Sequence, residues 1–97
     1  METEQWITVV ECSRHYQIEV SFLEELGEYG LIEVVVQEEV RGLEIGQLAR
    51  LEKLIRLHDD LNINIEGLDA VMHLIQKLED VQNELSHLKN RLRLYEH

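Results

Sequence analysis

Proline is absent from the 97-residue chain, and no segment is of low complexity, so nothing in it resembles a long disordered linker between independent units. Cysteine occurs once, at Cys12. One thiol cannot close an internal disulfide, and its isolation fits a reducing compartment. No apolar run approaches the ~20 residues that a bilayer-spanning helix needs. No basic n-region, apolar h-region and cleavage pattern precedes Trp6. These absences lead us to expect a cytoplasmic protein. Basic residues are also scarce, 9 against 20 acidic ones, for a formal charge of -11. The shortage is concentrated, because residues 1–47 hold 11 acids and only Arg14 and Arg41, whereas the remainder holds 9 acids and 7 bases. An acidic half repels phosphate backbones and anionic headgroups, which disfavours nucleic acid and membrane surfaces and favours a basic protein partner. Solubility is the competing explanation of the same charge.

The signatures of catalysis are missing too. There is no activated-nucleophile motif, phosphate-cradling glycine loop or dinucleotide fingerprint. Cys12 and His15 stand three apart on one predicted helix, a spacing that can serve one metal, but no second pair at ligand spacing accompanies them. Glu24-Glu25 and Asp59-Asp60 are carboxylate pairs, yet neighbours on a helix point about 100° apart and are not arranged to share a proton. His58 falls on an apolar helix face, where a satisfied core histidine is the simpler reading. We expect neither an enzyme nor a resident metal or cofactor.

What the chain has is a long periodic last third. From Ile65 to Tyr95, Val71, Leu78, Leu85 and Leu92 occupy one heptad position and Leu74, Val81, Leu88 and Tyr95 the other, the spacing of a coiled-coil seam. Asn64 caps this helix, with Ile63 and Leu68 placed as a hydrophobic staple. Between Leu68 and Leu78 the apolar set widens to include Met72 and Ile75, so this part should pack into the body of the domain. Four heptads run about 42 Å at ~1.5 Å per residue, longer than a domain of this size is wide. The outer seam therefore needs a cover. A second copy, giving a homodimer through Leu78, Val81, Leu85, Leu88 and Leu92, is the most economical one; the alternative is the chain's own preceding helix.

Ahead of it, after a frayed start, Thr8 and Glu11 form a capping box for a short helix over Val9 to Tyr16. Gln17-Ile18 makes a tight connection to a second helix, Val20 to Glu28, which Gly30 ends with a left-handed cap. That outline is a helix-turn-helix. The β-branched Val34, Val35, Val36 and Val40, interrupted by Glu38-Glu39, suggest a small hairpin whose second strand lies near Gly42 to Ile45. A third helix, Gly46 to Leu61, turns Leu48, Leu51, Leu54, Ile55, His58 and Leu61 inward and breaks at Asn62. The predicted architecture is mainly α: a winged-helix-like head over residues 1–62 and a long C-terminal coiled-coil helix over residues 63–97, forming one structural domain.

The stretch Ile7-Thr8-Val9-Val10-Glu11, then Leu23 and Tyr29-Gly30-Leu31-Ile32, resembles the winged-helix head of MerR-type transcription regulators, and the terminal helix resembles their dimerisation helix. Where such regulators typically place Arg-Tyr-Tyr to meet DNA, alignment on Gly30 puts Glu24-Glu25-Leu26, acids that would face phosphate oxygens. The runs Ile55-Arg56-Leu57-His58-Asp59-Asp60-Leu61, Asn64-Ile65-Glu66-Gly67-Leu68 and Met72-His73-Leu74-Ile75 are similar to a MerR-like offshoot, the CbpM family of chaperone modulators. That resemblance implies binding and inhibition of the J-domain of a CbpA/DnaJ-like co-chaperone. J-domains present a basic helical surface to their ATP-driven chaperone partner, and an acidic module could occupy it. On charge, the candidate contact residues are Glu24, Glu25 and Glu28 on the second helix and Arg56, Asp59 and Asp60 on the third; the competing reading is that they only solvate outer helix faces. The rival functions are a MerR-like regulator binding DNA and a coiled-coil adaptor with another protein partner.

Overall fold

The computed structural model describes residues 5–96. Trp6–Thr8 form strand β1, followed by α1 (Val9–Tyr16), α2 (Val20–Glu28), β2 (Val35–Gln37), β3 (Val40–Glu44), a short 3-10 turn over Ile45–Gln47, α3 (Leu48–Leu61) and α4 (Ile65–Tyr95). The fold is mostly helical, a winged helix-turn-helix with a small antiparallel sheet and a long terminal helix.

The short helices stand where their caps put them. Thr8 accepts from the Glu11 amide at 3.0 Å while the Glu11 carboxylate accepts from the Thr8 amide at 3.1 Å, the reciprocal bonds of a capping box. α1 ends at Gln17 in the left-handed region, φ 57°. α2 ends in a Schellman motif: the Leu31 amide bonds the Leu26 carbonyl at 2.9 Å and the Gly30 amide bonds the Gly27 carbonyl at 3.0 Å, with Leu26 and Leu31 both buried. Gly30, at φ 76°, takes the conformation that motif requires.

The sheet differs from the expected hairpin in two respects. The strand order is β1-β3-β2, so the wing has a third strand, with Trp6 opposite Glu44 and Thr8 opposite Gly42. The frayed start is thereby corrected over Trp6–Thr8; residues 1–4, where the rest of that expectation falls, lie outside those described. Second, β3 begins at Val40 rather than near Gly42, because Glu38 and Glu39 alone make the turn, both at positive φ (52° and 68°). Two consecutive left-handed residues are the signature of the tight hairpin turn that matches strand twist, a place normally filled by Asn-Gly. Leu43 and Ile7 face the core, whereas Trp6 lies across Gly42 on the outer face; a Cβ at Gly42 would sit 2.5 Å from both the indole ring and the Ile7 carbonyl oxygen. The Trp6 indole Nε1 is buried there without a hydrogen-bond partner among the described residues.

The core is leucine-built: Leu23 and Leu26 of α2, Leu43 of β3, Leu51 and Leu54 of α3 and Leu68 of α4 are fully buried, joined by Cys12. α3 starts at Leu48, two residues after the expected Gly46, since Ile45–Gln47 close as a 3-10 turn. Leu61, expected inward, is 63% exposed: Asn62 turns left-handed at φ 55°, and Ile63 and Ile65 fill the core at that level instead. In α4, Ile65, Leu68 and Met72 are buried and Ile75 half-buried, but every residue from Gln76 to Glu96 is exposed. The helix spans 31 residues, and the molecule measures 59 × 37 × 20 Å. Leu78, Val81, Leu85, Leu88 and Leu92 are 52–60% exposed, so the chain's own preceding helix does not cover the seam.

Candidate functional site

The head's outer surface is where the candidate residues lie, and the structure separates them into groups. Glu24 is half-buried and forms an ion pair with Arg41 of β3, so the second helix and the wing are tied through the wing's single cation. Glu25 and Glu28 are exposed on α2 and Leu26 faces the core. Consequently the surface that a helix-turn-helix of this kind offers to DNA carries exposed carboxylates and a base already engaged, an arrangement that repels phosphate.

Asp59, from the end of α3, meets Glu25 across a groove of about 410 Å³ lined also by Glu19, Ile18, Phe22 and His58. Arg56 and Asp60 are exposed on α3 outside that groove. The groove exists because α3 lays its last turns against the α1–α2 turn. There the Phe22 and His58 rings pack at 4.7 Å between centroids, tilted by 33°. His58 Nδ1 lies 2.7 Å from the Ile63 carbonyl oxygen. A carbonyl only accepts, so Nδ1 carries the proton in this contact. His58 is thus a partnered boundary histidine.

The other polar contacts brace the frame. The Tyr16 hydroxyl donates to Glu52 on α3 at 2.6 Å, and burial together with that carboxylate pushes its pKa up to about 12. Tyr29 donates to Glu66 at 3.2 Å, which raises its phenol pKa as well. Arg50 Nε donates to the Leu31 carbonyl, and the Glu33 amide donates to the Gln47 side chain at 3.0 Å. Cys12 is wholly buried and its thiol pKa raised by that burial, whereas His15 is exposed against Tyr16, so the two do not converge. Sequence reasoning missed the Glu24–Arg41 pair and the Phe22–His58 contact. The first joins residues 17 apart and the second 36 apart, and no local pattern announces either.

A helix-turn-helix closed by a wing and extended by a long exposed helix defines a class of regulatory protein. A family model described as MerR HTH family regulatory protein matches residues 7–90, and the chain belongs to that family. None of the curated proteins and none of the solved structures matches the chain. No described helix is long and apolar enough to cross a membrane.

Proposed function

We propose that the chain is a CbpM-type modulator that binds the J-domain of a CbpA/DnaJ-like co-chaperone and inhibits it by blocking access to its chaperone partner. The observation that carries this reading is a MerR head whose second helix is acidic and whose wing cation is consumed by Glu24. Such a head is complementary to a basic protein helix and opposed to a DNA backbone. The mechanism is competitive occupancy, without covalent chemistry, cofactor or metal, by a cytoplasmic protein that pairs with a second copy through Leu78, Val81, Leu85, Leu88 and Leu92. The projecting seam supports that pairing: about half of each apolar side chain faces solvent on one stripe.

Calorimetric titration against the J-domain at two salt concentrations tests the reading. Salt-sensitive micromolar or tighter binding is expected, and reversing Glu25 and Glu28 to Lys should slow association. Absence of binding by the folded protein would sink it. A second reading, an operator-binding regulator, is favoured by the helix-turn-helix itself; retention of duplex DNA at physiological salt would support it. If a seam peptide bound the same partner without the head, a coiled-coil adaptor would replace both.

A further inference from the structure

We draw no further inference here: the strongest candidate, the exposed apolar seam of α4 from Leu78 to Leu92, belongs to the self-association surface already described, and nothing in the structure shows how a second copy lies along it.

Discussion

Individual residues here settle questions that their types alone leave open. Tyr16 is one: its hydroxyl donates to Glu52, and its pKa is pushed up from 10.0 to about 12 by burial and by that carboxylate. The folded-state value lies above the unfolded one, so the unfolded chain releases the proton first. The stability linked to this phenol is complete below about pH 10 and is lost as pH rises toward 12. Phenolate absorbance should show one tyrosine titrating near 12, and Glu52→Gln should bring it down; a tyrosine set titrating together near 10 in both proteins would contradict the contact. Gly42 is another. Its missing Cβ is the seat of the Trp6 ring, and Gly42→Ala should cost roughly 1–3 kcal/mol in denaturant unfolding through overpacking against the indole and the Ile7 carbonyl. Neither Trp6 nor Gly42 could be assigned these roles beforehand, because strand β1 is three residues long and too short to display a period.

Among the elements, those with capping chemistry were readable and those set by tertiary pairing were not. Thr8-Glu11, Gly30 and Asn64 mark helix ends in local sequence, and α1, α2 and α4 stand where these residues put them. The Asn64 side chain accepts from the Gly67 amide at 2.8 Å, and Asn64→Ala should cost about 0.5–2 kcal/mol, read as a lowered unfolding midpoint with unchanged slope. The wing was displaced because Glu38-Glu39 carries no glycine to announce a left-handed turn, so pairing with β3 imposes that conformation. The inward placement of Leu61 failed for a related reason: periodicity continues to the last helical residue, but the core does not. Beyond Gln76 the seam of α4 stands apart from the head. Leu85→Glu with Leu88→Glu should therefore convert the proposed dimer to an 11.5 kDa monomer in sedimentation while leaving the head's thermal unfolding in place, since each position is 52% exposed. A mass unchanged by both substitutions would assign self-association elsewhere.

Taken as a whole, the molecule divides its charge as it divides its shape. The head holds most of the acid excess, its wing cation is neutralised by Glu24, and apart from Arg14 on α1 the remaining bases lie on α3 and α4. The charge imbalance and the helix-turn-helix were both readable from the sequence. Folding revealed which acids share a surface: Glu25 and Asp59 converge over Phe22 and His58, while Glu24 turns to the wing and Arg56 and Asp60 remain outside the groove. The proposed mode of action is that this acidic head covers the basic helix by which a J-domain engages its chaperone. The most direct measurement is the chaperone's steady-state ATP hydrolysis stimulated by its CbpA/DnaJ-like co-chaperone, with this protein added in increasing ratio. The account predicts a fall to the unstimulated rate near stoichiometric addition, relieved by added salt; stimulation that persists at saturating concentrations of the folded protein would contradict it.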